Sequence, residues 1–240
     1  MKTKRKKLST GVYIVILLIL LLIGSYLVVY RSLPESALYS FKVTTVEKVV
    51  SNFYSTPSAQ ISNEMTRLER RVQELSRMHA RAEVTEGAAE RIAADAVSHV
   101  DTIVETIAMN QGEFTNSEVL RMTHQAYVLV RAAEVLVQTN ESLSVVQPQI
   151  TSKRREMWSF VTRRTEELRV RDEITFFSQF NEELTTLLGL VPSLDDEVSS
   201  GVRLYISQSE AALAENDPVA AYTSLLNALT VIEIEQFISI

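Results

Sequence analysis

The sequence predicts an all-α protein: a single N-terminal transmembrane helix followed by an antiparallel helical bundle outside the cytoplasmic membrane. Three observations predict it. Residues 8–30 run for 23 positions without a charge. Beyond them, apolar residues recur at helical spacing and no sustained alternation of period two occurs. Six glycines and five prolines in 240 residues are too few for a turn-rich β fold.

The first element is the span, taken as residues 11–30 behind a basic tail at residues 1–10. About 20 apolar residues cross a bilayer's hydrocarbon core, and 14 of the 18 between Val12 and Val29 are Val, Ile or Leu. Together they favour insertion by something on the order of 5 kcal/mol. Five basic residues (Lys2, Lys4, Arg5, Lys6, Lys7) precede the span, and three (Arg31, Lys42, Lys48) fall in the next twenty. That asymmetry places the N-terminus inside and the rest of the chain outside. A cleavable signal peptide has a shorter apolar region and a small-x-small site. The first such triplet here, Ser36-Ala37-Leu38, fits poorly.

Residues 31–240 hold 19 basic and 30 acidic side chains, a net charge of −11. Such a domain repels nucleic-acid phosphates and anionic lipid heads. The chain has no cysteine, which excludes disulfides, thiolate metal sites and cysteine nucleophiles.

Pro34 breaks the chain after the span, and Ser36 caps a helix from Ala37 to about Tyr54. Its apolar face is Val43, Val46, Val49, Val50 and Phe53, with Lys42, Glu47 and Lys48 more exposed. Pro57 starts the next helix. Ile61, Met65, Leu68, Val72, Leu75, His79 and Ala82 form an a/d seam of coiled-coil type, flanked by Arg67, Glu69, Arg70, Arg71 and Glu74. Its length suits packing within a bundle.

Thr85 opens a helix with the stripe Ala89, Ala93, Ala96, Val100, Ile103, Val104 and Ile107, ended by Gly112. Thr115 and Glu118 form a capping-box pair. The stripe after them is Val119, Thr123, Ala126, Val130, Ala133 and Val137. Pro148 lies at a weakly patterned junction, so the ectodomain is divided into residues 31–147 and 148–240.

From about residue 149 to 190 the chain reads as helix, with Arg171-Asp172 a kink point. Met157, Val161, Leu168, Ile174, Phe177, Leu184, Leu187 and Val191 are its expected buried residues. Gly189 and Pro192 stop it. A hairpin closes the chain. Val198, Val202, Tyr205, Ile206, Ser209 and Leu213 face one way, Asn216 takes the left-handed turn, Asp217 caps and Pro218 opens the last helix. That helix carries Ala221, Leu225, Ala228, Leu229 and Ile232.

Leu33, Pro34, Leu38, Tyr39, Lys42 and Glu47 resemble the juxtamembrane motif Leu-Pro-Gly-Asp-x-Leu-Tyr-Pro-x-Lys, then Glu, of a bacterial membrane-anchored family of unknown function. Glu35, Ser36 and Ser40 depart from it. Leu68 to Leu75 is similar to that family's Arg-rich helix, and the resemblance fades after about Asn110. Some members are attached to anti-sigma-factor regions, which implies a sensor or regulatory ectodomain as an alternative function. The family brings no catalytic chemistry. Residues 209–222 are similar to one tetratricopeptide-type hairpin, and a solenoid needs about three such units.

His79, His99 and His124 lack the i+3 or i+4 partner of a metal pair and are read as structural. Asp95, Asp101 and Glu105 are read as a solvated face. No phosphate-binding glycine loop or hydrolase motif occurs. The expectation is therefore no enzyme, no cofactor and no metal. Trp158, Phe160, Arg163 and Phe177 are the candidate docking surface, since Trp, Phe and Arg are enriched at interface centres. The leading function is a membrane-anchored interaction or scaffold protein that binds another envelope protein or itself, without nucleic acid.

Overall fold

The computed structural model describes residues 36–51, 53–80 and 85–238, together with Gly24; every regular element among them is helical and none is a strand. The tail at residues 1–10, the span at residues 11–30 (Gly24 aside), Leu33, Pro34 and Ala82 lie outside the described residues. No described helix is long and apolar enough to cross a membrane. The chain divides into two compact units, Met1–Phe53 and Tyr54–Ile240.

In the first unit, Ser36 Oγ accepts from the Leu38 amide at 3.2 Å and starts α1, Ala37–Phe41. A π-helical segment, Lys42–Glu47, comes next, then α2, Lys48–Ser51. A π-turn takes one more residue per hydrogen-bonded turn than an α-turn. The extra residue shifts the helical phase of α2 and corrects the expected face. Val49, Val50 and Phe53 are exposed, whereas Lys42 and Glu47 are buried with Tyr39. Lys42 Nζ lies 5.4 Å from the Tyr39 ring centre.

The second unit begins with α3, Pro57–His79, whose Thr56 Oγ1 accepts from the Ala59 amide. Ile61, Leu68, Val72 and Leu75 of the seam are buried. α3 pairs with α4, Glu86–Met109, whose small residues Ala89, Ala93 and Ala96 are buried at the contact. α5, Asn116–Gln138, starts on the expected capping box: the Glu118 amide donates to Thr115 Oγ1 at 3.2 Å, and the Thr115 amide donates to Glu118 Oε2 at 2.8 Å. Its expected stripe is buried, and so are Leu120, His124, Tyr127, Val128, Leu129 and Leu136. Buried over most of its circumference, α5 is an interior helix. α5 is the post against which α3, α4, α6 and α9 pack.

A 3-10 turn, Glu141–Val146, leads into α6, Gln147–Arg171, with Pro148 in its first turn. α6 lies along α5, so the boundary expected at residues 147/148 falls inside one unit. One core cluster runs from Ile61 to Ile232. Asp172 breaks the next helix at the expected place, with φ −149° and ψ 72°, and its carboxylate accepts from the Thr175 amide at 3.1 Å to start α7, Glu173–Leu190. The break resets the helical phase. Phe176 and Phe180 turn inward, and Ile174 and Phe177, expected inside, lie on the surface.

α8, Asp196–Ala214, and α9, Pro218–Ile238, form the closing hairpin. Asn216 takes φ 61°, and Asp217 Oδ1 accepts from the Ala220 amide at 2.9 Å.

Charges also hold the unit. Arg71, fully buried, pairs with buried Glu74 at 2.6 Å and lies 3.8 Å from Asp95. Glu134 of α5 meets Arg131 and, at 2.8 Å, Arg154 of α6. Lys153 of α6 reaches Asp101 of α4 at 2.7 Å. Asp95 and Asp101 are thus ion-paired rather than simply solvated.

Candidate functional site

Phe160, Arg163, Arg164, Glu167 and Arg171 stand at i, i+3, i+4, i+7 and i+11 on α6 and so share one face. That face meets Val104, Ile107 and Ala108 near the end of α4, Gln111 just beyond, and Thr123 of α5. Together they line a cleft of about 410 Å³. The Arg163 guanidinium stacks 4.5 Å from the Phe160 ring centre. Arg164 pairs with Glu167, and its Nε is buried without a hydrogen-bond partner. Among the described residues, Arg163 and Arg171 make no ion pair. The cleft carries three positive charges against one negative, on a chain that is acidic beyond residue 30.

The four residues expected to form one docking surface are split three ways. Phe160 and Arg163 meet in the cleft. Trp158, two residues before Phe160, faces the other side of α6, because two helical steps turn about 200°. There it is half-buried, 4.8 Å from the Tyr127 ring. Phe177 sits on α7, edge-on to Phe176 at 5.2 Å.

α7 presents a second feature. Ile174, Phe177, Asn181, Leu184 and Leu188 recur at spacings of three and four along one side. Ile174 is 86% exposed, Leu188 54% and Phe177 37%. This is the pattern of a seam that seats a partner helix.

A third cluster lines a small, partly open cavity. Ser117, Arg121 and His124 of α5, Gln179 and Glu183 of α7, and Tyr222 of α9 line a cavity of about 80 Å³. Tyr222 donates its hydroxyl hydrogen to Glu183 Oε1 at 3.0 Å, and Glu183 Oε2 is buried without a partner. Burial pushes the Glu183 carboxyl up to about 7, against the lowering effect of the Tyr222 hydrogen bond. Burial pushes His124 down to about 4; its Nε2 lies 3.0 Å from the Leu226 carbonyl and 3.0 Å from Thr230 Oγ1. Edge-on contacts of Tyr222 with Phe176 and Phe180, at 5.2 and 5.9 Å between ring centres, hold its side of the cavity wall.

The other histidines hold structural partners. His79 Nδ1 is 3.2 Å from the Leu136 carbonyl, and His99 Nδ1 is 2.7 Å from Glu64. Burial opposes the Glu64 charge, and the His99 contact, with Arg67 and Asn63, outweighs it and keeps that carboxyl below its usual range. Among the described residues, no group of three or more His, Asp or Glu is placed to hold a metal ion.

The chain matches no family model, no curated protein and no solved structure.

Sequence reasoning named Phe160 and Arg163 but missed Glu167 and Arg171, although their one-face spacing was readable. It also missed the convergence of His124, Glu183 and Tyr222 on one cavity from three helices far apart in the chain. No local pattern signals that meeting.

Proposed function

We propose that this chain is an interaction module held at the outer face of the cytoplasmic membrane by residues 11–30, docking an envelope protein or a second copy through α7. The apolar row Ile174, Phe177 and Leu188 on the outside of α7 carries this reading. Clustered exposed apolar side chains mark a binding face, and this spacing suits a helix laid alongside another. The uncharged stretch and its basic flank support the anchor and its direction. The burial of Tyr39, Lys42 and Glu47 in the first unit supports a structural role for the juxtamembrane motif. No catalysis or cofactor enters this reading.

The test places a photo-crosslinking amino acid at Asn181, in the middle of the α7 row, in living cells. Mass spectrometry of the membrane fraction is expected to find one recurrent adduct, either foreign protein or self. Ile174→Glu with Leu188→Glu should abolish it without loss of helical content. A partnerless monomer in intact membranes overturns the proposal.

A further inference from the structure

The α4–α5–α6 cleft gathers Arg163, Arg164 and Arg171 around a single carboxylate, Glu167. Like charges brought together repel, and among the described residues neither Arg163 nor Arg171 has a carboxylate to offset this. The remaining charge of two suits a dianion. Guanidinium groups bind phosphate through paired, charge-assisted hydrogen bonds, and the Arg164 Nε–H is buried with its hydrogen-bonding capacity unused. Besides polar Gln111 and Thr123, the wall has an apolar side made of Val104, Ile107, Ala108 and the Phe160 ring under Arg163. An aromatic or short aliphatic body fits there, and about 410 Å³ lies within the size range of small-molecule sites.

Size selects as well as charge. A nucleic acid or an anionic bilayer would face the acidic surface of the domain along with the cleft. A single dianion inside the cleft feels chiefly the nearby guanidiniums, because charges beyond about 8 Å are screened at physiological salt. We propose that this cleft binds a small organic phosphate monoester, its phosphate among Arg163, Arg164 and Arg171 and its apolar body against Phe160 and Ile107.

The test is calorimetric titration of the full chain in non-ionic detergent at about pH 8, where a phosphate monoester is a dianion. Phenyl phosphate is the probe, with benzoate and inorganic phosphate as comparisons. One saturable site is expected, weakened about tenfold by Arg163→Gln and by Arg171→Gln, each removing a charge-assisted contact. Both side chains are exposed, so the helical signal should persist. Arg155→Gln, on the same helix but off the cleft, should leave binding unchanged. Benzoate, with one charge, and inorganic phosphate, with no ring, should each bind at least about tenfold more weakly. Lack of saturation by about 10 mM phenyl phosphate, or equal weakening by all three substitutions, overturns the site. Benzoate binding as tightly overturns the phosphate assignment, and inorganic phosphate binding as tightly overturns the role of the apolar wall.

Discussion

Glu183 and His124 line one cavity and titrate in opposite senses. The folded-state value of Glu183, about 7, lies above its ordinary 4.5. Its contribution is therefore full below about pH 4.5 and is lost as pH rises through 7. The folded-state value of His124, about 4, lies below its ordinary 6.5. Its contribution is full above about pH 6.5 and is lost as pH falls through 4. Each is on the order of 3 kcal/mol, and between pH 4.5 and 6.5 their opposite pH dependences nearly cancel. Glu182 and Glu233 reinforce the rise at Glu183 and leave its direction unchanged. Chemical denaturation across that window should give a shallow profile for the native chain. Glu183→Gln should uncover stability that rises with pH, and His124→Gln stability that falls. Parallel slopes for the two variants would contradict the assignment.

Arg71 makes a separate case at the same scale. Removing one partner of a buried ion pair costs about 3–5 kcal/mol, because the other charge stays buried, whereas replacing both by apolar groups can be nearly neutral. Arg71→Ala should lower stability by about that amount, and Arg71→Met with Glu74→Leu should recover most of it in urea unfolding. In the sequence, Arg71 and Glu74 read as flanking charges of a seam. Their burial comes from the approach of α4, which period alone does not reveal.

At the scale of elements, local chemistry was legible wherever it is self-contained. The Thr115–Glu118 capping box, Pro57 in a first turn, the stop at Asp172 and the α8–α9 hairpin all form where residue types alone favour them. Asn216 illustrates the reason. Its φ of 61° is a conformation that asparagine and glycine tolerate and β-branched residues do not. Asn216→Val should cost about 1–2 kcal/mol, and Asn216→Gly should be close to neutral in thermal unfolding. Phase across a break was not legible. The reset at Asp172 put Ile174 and Phe177 outside, and the π-turn at Lys42–Glu47 buried two charged residues expected outside. A helical wheel continued through either irregularity assigns the wrong face.

For the whole molecule, the packing of α5 on α6 and α9 joins the halves that Pro148 had suggested were separate. Proteolysis should track the packing. Chymotrypsin is expected to cut after exposed Phe53 and Tyr54 before any site between residues 140 and 152, leaving a resistant C-terminal fragment that mass spectrometry identifies. The absence of cysteine gives a clean test of topology. Ser207→Cys, at an exposed position on α8, should react with a membrane-impermeant maleimide in intact cells. Labelling only after lysis would reverse the proposed orientation.

The sequence by itself determined the helical class, most helix starts and stops, and the amphipathic stripes, because these depend on spacings within about two turns and on the chemistry of single caps. It also held the case for an anchor, which rests on hydropathy and charge. Tertiary structure decided which helix is central, which charges are buried, and which side chains from distant helices share the arginine cleft and the His124–Glu183–Tyr222 cavity. Those outcomes depend on how helices are placed against one another, and that is set by the packing of all their faces at once.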